Sequence, residues 1–151
     1  MTALMALVAV IASGVAAGGL LNVGIAQVPT FRALPPGSYL QTKQLLHTYT
    51  NNYLPWAVRI SLPAGVALAV LRPDVLGRSL AIGGVVHLII VAAISERFNQ
   101  PMNRRIQSWS PDSPPPELDE VRARWAKFNL IRTINAAVAL GLFAACAVLP
   151  V

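Results

Sequence analysis

Charged residues and cysteine are both scarce in this chain. Only 12% of its 151 residues are charged and 55% are hydrophobic, whereas soluble domains carry roughly 25% charge. The single cysteine, Cys146, excludes an internal disulfide, and its position inside an apolar run indicates packing. The composition excludes an ordinary soluble domain and indicates an integral membrane protein.

Acidic residues are half as common as basic ones, six against twelve, which leaves a net charge of +6. In a soluble protein that excess would raise nucleic acid as a partner. Here the basic residues lie in short loops beside apolar runs, so they are better explained by orientation in a membrane. We therefore expect the lipid bilayer, and no nucleic acid, as a partner.

Long apolar runs are present, and four of them approach the roughly 20 residues that a spanning helix needs. They cover about residues 3–27, 54–71, 79–98 and 129–149. The first lacks the basic start of a signal peptide and is too long for one, which favours a retained helix. The sequence thus predicts one all-α domain over residues 1–151, an integral membrane four-helix bundle with a long loop between helices 3 and 4.

The loop charges predict an orientation. Four spans place both termini on one side of the membrane, where Arg72 and Arg78 are the basic loop residues. The connections on the other side carry the larger set: Arg32, Lys43, Arg97, Arg104, Arg105, Arg122, Arg124 and Lys127. By the positive-inside rule, the large loops are expected in the cytoplasm and the termini outside.

Two helices are predicted to extend beyond the spans. Ser38, after the turn residues 35–37, is expected to cap a helix that runs through His47 into the second span. The acidic residues that follow the proline run of residues 114–116 suit a helix first turn, so the fourth helix is expected to begin near Glu117.

A small-residue face on the first span, formed by Gly14, Gly18 and Asn22, favours close helix contact. It permits a homo-oligomer but does not require one.

All four helices bring polar residues to the same end of the bundle, the end that faces the large loops. These residues are Gln27, then His47, Tyr49, Asn52 and Tyr53, then Glu96, Asn99 and Asn103, and finally Trp125, Asn129 and Arg132. The third and fourth groups each have the spacing of one helical face. Polar groups in a bundle usually face its interior or a cavity, so the pattern predicts a pocket that opens toward the loops. The alternative is a structural cap that satisfies helix ends.

Arg59 and Glu96 are predicted as charges inside the bundle, either as a structural ion pair or as part of an anion site. The two histidines raise haem b as a possibility. His87, however, lies roughly 15 Å deeper than His47 by helix rise, too far for one iron to join both. No other group of residues has metal-ligand spacing, and His87 is expected to be hydrogen-bonded between helices.

Two motifs at the polar end resemble the anthrone oxygenase-like family of small four-helix membrane proteins. They are Asn99-x-Pro101-x-Asn103 at the end of the third span and Trp125-x-x-Phe128-Asn129-x-x-Arg132 at the start of the fourth. Chain length and the number of spans agree as well; family members often carry a second aromatic where Phe128 stands, so this chain is a mild variant. The resemblance implies oxidation of an anthrone-like, lipophilic aromatic substrate with molecular oxygen as co-substrate and no cofactor.

Roles for the site residues follow from that chemistry, which needs a base and a group that stabilises an enolate. The first choice for the base is His47, whose ordinary pKa is near 6.5. Its role is our inference and does not come from the family. Glu96 is the second choice, because burial would raise its pKa. Arg132 is expected to stabilise the enolate or peroxide. The expected substrate-binding residues are Asn99, Asn103 and Asn129, which orient the substrate, Trp125, which stacks on it, and Tyr53.

Two other functions remain open. One is a non-enzymatic membrane subunit or small-molecule binder, in which the polar cluster serves assembly. The other is a haem- or quinone-binding redox protein.

Overall fold

The computed structural model describes residues 1–50 and 53–150, except for the side chain of Thr50, and in this part of the chain the fold is all-α as predicted. The helices are α1 (Thr2–Ala33), α2 (Pro36–Thr50), α3 (Leu54–Leu71), α4 (Val75–Gln107) and α5 (Leu118–Val148). All except α2 are long and apolar enough to cross a membrane. The chain is therefore an integral membrane protein.

The four spans form a bundle in which α1 and α4 each pack against both α3 and α5. Its centre is built from small residues around Phe143, which is fully buried. The ring lies against Gly65 of α3 and Gly84 of α4, where an added Cβ would come within 2.6 Å of it. Glycine at these two positions lets three helices close around one aromatic ring.

The helices at the polar end are longer than the predicted spans. The third span reaches Gln107 instead of residue 98, and the fourth helix begins at Leu118, as expected from Glu117. At 1.5 Å per residue, the 31 residues of α5 extend about 46 Å, well beyond a hydrocarbon core of about 30 Å. The non-helical connection between the two spans is reduced to residues 108–117.

The projecting ends and α2 enclose a second apolar core. Its buried members are Val23, Phe31, Tyr39, Leu40, Ile106, Leu118, Val121 and Trp125. Because this core joins the end of α1, the end of α4, the start of α5 and α2, it holds α2 against the bundle. The predicted cap at Ser38 is wrong, since α2 already begins at Pro36. The predicted continuation into the second span, and Asn52 with it, lies outside the described residues.

Both α1 and α4 contain one π-helical turn at the polar end, Val23–Gln27 and Ser95–Asn99. A proline follows each turn closely, Pro29 in α1 and Pro101 in α4. Proline has no N–H to donate and its ring displaces the carbonyl four residues earlier, so a widened turn before it relieves the conflict. The proline of the Asn99-x-Pro101-x-Asn103 motif thus accounts for a local change of helical register.

The small-residue face of α1 does not pack as predicted within this chain. Gly18 is exposed, and a Cβ added there would meet no atom within 4 Å. A homo-oligomer stays a prediction. At the terminal end, Arg72 is only 2% exposed and donates to the carbonyls of Cys146, Leu149 and Pro150 at 2.9 to 3.4 Å. This arginine caps the C-terminus of α5.

Candidate functional site

A cavity of about 190 Å³ opens at the polar end of the bundle, between α1, α2, α3, α4 and α5. It far exceeds the roughly 10–15 Å³ that one water molecule requires on the same measure. Its apolar wall includes Ala16, Leu20, Val23, Leu62 and Val91. Its polar lining consists of Gln27, Lys43, His47, Arg59, Ser95, Glu96, Gln100, Asn103, Trp125, Asn129 and Arg132. The two π turns border this cavity, where such turns frequently mark functional sites.

The α5 wall of the cavity carries Trp125, Asn129 and Arg132, as the sequence predicted. Arg132 donates from Nη1 to Ser95 Oγ at 3.1 Å and from Nη2 to Asn129 Oδ1 at 3.0 Å. Trp125 Nε1 donates to Asn103 Oδ1 at 2.9 Å, and both partners are buried. The two sequence motifs are therefore joined by direct hydrogen bonds between α4 and α5.

Three predicted site residues differ from the prediction in their burial or in their place relative to the cavity. Glu96 lines the cavity but is exposed, so the expectation of a buried carboxyl is wrong. The π turn Ser95–Asn99 explains this, because it separates Glu96 from the fully buried Asn99, which an α-helical register places on the same face. Asn99 does not line the cavity and donates to the Trp125 carbonyl at 3.4 Å. Tyr53 is exposed and also lies outside the lining.

The expected buried pair of Arg59 and Glu96 is wrong as well. Both side chains are exposed, and the ion pairs found within residues 1–50 and 53–150 do not include them. The Arg59 guanidinium instead lies 5.2 Å from the ring centre of Trp56 on its own helix.

Lys43 is a charged site residue that the sequence pattern did not single out, and Ser95, which accepts from Arg132, is another residue that it did not single out. Lys43 is 6% exposed and lines the cavity, with Nζ 3.3 Å from the ring centre of Trp125. Burial, and then the charge of Arg132, hold the pKa of the Lys43 amine well below its ordinary value of 10.5. The signal in the sequence was the spacing of Lys43 and His47, one helical turn apart, but Lys43 was interpreted only as a loop charge.

His47 lines the same cavity and is partly buried. Burial, and to a smaller extent the neighbouring Lys43, lower the pKa of the His47 imidazole from 6.5. The imidazole is therefore neutral, and able to accept a proton, over a wider range below neutral pH than a free histidine.

The cavity contains two basic side chains, Lys43 and Arg132, that favour negative charge beside them. The ion pairs described for the chain join Arg72 to Asp74, Arg105 to Glu117 and Arg122 to Asp119, and leave out Lys43 and Arg132. Arg132 is held by neutral oxygens, and its Nε has no hydrogen-bond partner among the described residues. Such a site favours a ligand that is, or becomes, an anion.

His87 lies elsewhere, outside the cavity lining, with Nδ1 2.8 Å from Asn135 Oδ1 of α5. The expectation of a histidine hydrogen-bonded between helices is confirmed. Within the described residues, no group of three or more His, Cys, Asp and Glu side chains is arranged to hold a metal ion.

A comparison with protein families finds a match to the family model described as anthrone oxygenase over residues 45–142. The match runs from the end of α2 through most of α5 and includes both motifs, while Lys43 lies two residues before it. No curated protein and no solved structure gives a significant match.

Proposed function

The chain belongs to the anthrone oxygenase family, and on that premise we propose that it is a membrane-embedded oxygenase. Its substrate is a lipophilic, anthrone-like aromatic molecule, and molecular oxygen is the co-substrate. No resident cofactor takes part in the proposed reaction. The main support for the proposal is a cavity that combines a histidine with a buried lysine and a partly buried arginine, neither of which has a carboxylate partner among the described residues.

The proposed reaction begins with loss of a proton from the central methylene of the anthrone, because the resulting carbanion is an aromatic enolate. The electron-rich enolate passes one electron to oxygen. Recombination of the two radicals forms a carbon–oxygen bond and yields a peroxide. Loss of water from the peroxide gives the quinone, so one oxygen atom stays in the product and the other leaves as water.

The chain's residues supply the two requirements of that sequence, a proton acceptor and a positive environment for the anion. His47 is the proposed acceptor, since its imidazole is neutral at physiological pH and lines the cavity. Arg132 stabilises the enolate and peroxide oxygens, and its contacts with Ser95 and Asn129 fix the guanidinium before substrate arrives. Asn103 orients the site by holding Trp125.

The membrane location suits such a substrate. The apolar wall of the cavity accepts a planar ring, and the exposed apolar faces of the spans place the site within reach of a molecule dissolved in lipid. We further propose that the polar end faces the cytoplasm, since most basic loop residues lie there. A cysteine introduced at exposed Arg104, and labelled from one side of sealed vesicles, tests this orientation.

Oxygen consumption by the purified, metal-stripped protein with an anthrone is the direct test of the function. Wild type is compared with His47→Gln and Arg132→Gln, and with Arg97→Gln as a control on an exposed arginine outside the lining. We expect turnover that survives stripping, falls by about 100-fold or more in the two site variants and is unchanged in the control.

Thermal unfolding of each variant separates loss of chemistry from loss of fold. A folded Arg132→Gln protein with wild-type turnover would remove Arg132 from the mechanism. Turnover no faster than spontaneous oxidation in the wild type, with a series of anthrones, would reject the oxygenase and favour a binding or assembly role for the cavity.

A further inference from the structure

Lys43 has a position that the proposed mechanism does not use. Its side chain reaches from α2 into the cavity, where Nζ lies 3.3 Å from the Trp125 ring centre and the Phe31 ring centre is 5.5 Å away. The residue is 6% exposed and lines the same cavity as His47 and Arg132. A lysine whose only purpose is membrane orientation has no reason to be buried in this way.

The surroundings disfavour a permanent ammonium ion at this position. Burial removes water from the charge, and no carboxylate of the described residues pairs with it. The charged groups that line the cavity are Arg132 from α5, Arg59 from α3 and Glu96 from α4, and the last two are exposed. The amine is therefore poised to be neutral in the empty cavity and to become charged when an anion appears beside it.

The Trp125 ring offers the new ammonium a partner. The negative face of an indole attracts a cation within about 6 Å of its centre, and this attraction is stronger where water is excluded. Trp125 is itself fixed by its hydrogen bond to Asn103. The ring therefore favours the protonated lysine without requiring movement of the protein.

We propose that Lys43 Nζ takes the proton directly from the bound substrate, and that His47 accepts it from Lys43 in a second step. This inference rests on the proposed function and refines it. The substrate C–H bond breaks, its electron pair passes into the aromatic enolate, and the lone pair of Nζ forms the new N–H bond. The product of the step is an ammonium–enolate pair held between Trp125 and Arg132. His47, one turn further along α2 and only partly buried, then relays the proton toward the polar end.

A binding experiment tests the proton transfer without relying on turnover. The probe is a hydroxyanthraquinone, whose phenolate absorbs at longer wavelength than its phenol. At a pH where the free dye is neutral, we expect the wild type to bind it as phenolate, because the phenol proton moves to Lys43. Lys43→Met should bind the neutral dye. Lys43→Arg should still bind the phenolate, since a guanidinium pairs with it while the proton goes to solvent.

Turnover then separates a proton acceptor from a simple positive charge. Arginine keeps the charge but cannot accept a proton, so we expect Lys43→Arg to retain phenolate binding and to lose turnover by about 100-fold or more. Lys43→Met should lose both. His47→Gln should keep the phenolate spectrum of the bound dye, because the first proton transfer goes to Lys43, and should lose turnover alone.

Two results would overturn the assignment. Wild-type turnover in a folded Lys43→Arg protein would show that the amine accepts no proton. A Lys43→Met protein that binds the dye as phenolate would show that Lys43 does not drive ionisation. Failure of the oxygenase function has a different signature, in which wild type shows no anthrone oxidation while dye ionisation still depends on Lys43. In that case Lys43 remains the proton acceptor of a binding site for acidic aromatic molecules.

Discussion

The hydrogen bond between Trp125 and Asn103 joins the two motifs, and its removal makes a quantitative test of the site. Trp125 Nε1 lies 2.9 Å from Asn103 Oδ1, and both side chains are buried. Asn103→Leu keeps the number and branching of the side-chain heavy atoms but leaves the indole N–H without its acceptor. An unpaired buried donor costs about 1–3 kcal/mol, so the free energy of unfolding should fall by that amount.

A double-mutant cycle isolates this interaction. Trp125→Phe leaves Asn103 without its donor and also removes part of the surface under Lys43, so it destabilises the protein by itself. In the double variant neither polar group remains, and the second substitution should cost about 1–3 kcal/mol less than it does alone. Equilibrium unfolding in mixed micelles measures all four proteins. Trp125→Phe combined with Phe143→Leu is the control, because the two residues lie 18 positions, or about 27 Å, apart on α5.

Additive effects in the Trp125 and Asn103 cycle, within about 0.5 kcal/mol, would refute the argument. The hydrogen bond would then contribute nothing to joining α4 and α5. The ordering of Trp125 that the Lys43 contact requires would need another explanation.

Three further outcomes follow from the structure. Arg72→Met should lower the free energy of unfolding by more than 2 kcal/mol, since it removes charge-assisted hydrogen bonds worth about 1.5–3 kcal/mol each. Arg104→Met, at an exposed position, should leave it unchanged, and thermal unfolding compares the two variants. Gly84→Ala forces a methyl group to within 2.6 Å of the buried ring on α5 and should cost about 1–3 kcal/mol, whereas Gly18→Ala meets no atom and should not destabilise. Because the folded protein holds the pKa of Lys43 well below 10.5, the unfolded chain binds the extra proton. In the pH range between the pKa of the folded state and about one unit below 10.5, Lys43 should therefore make stability rise by about 1.4 kcal/mol per pH unit, and Lys43→Met should lose that contribution.

The number and approximate position of the spans could be predicted from the sequence alone, because each helix that crosses the hydrocarbon must be apolar by itself. Every span must be apolar over some 20 residues whatever its neighbours are. The clustering of polar residues at one end of the bundle could be predicted in the same way, since it depends only on the position of each residue along its own helix. The approach of Trp125, Asn129, Asn103 and Arg132 to one another could therefore be anticipated.

Only the tertiary structure decided which of those residues face the cavity. The π turn before Pro101 rotates Glu96 into an exposed position while Asn99 turns inward to the backbone of α5, and no α-helical spacing anticipates that change. Lys43 belongs to the site because the second core holds α2 against the bundle, a consequence of packing between elements distant in sequence. A charge in a loop and a buried base look the same in a sequence. They differ only in what surrounds them, and the surroundings are set by the whole fold.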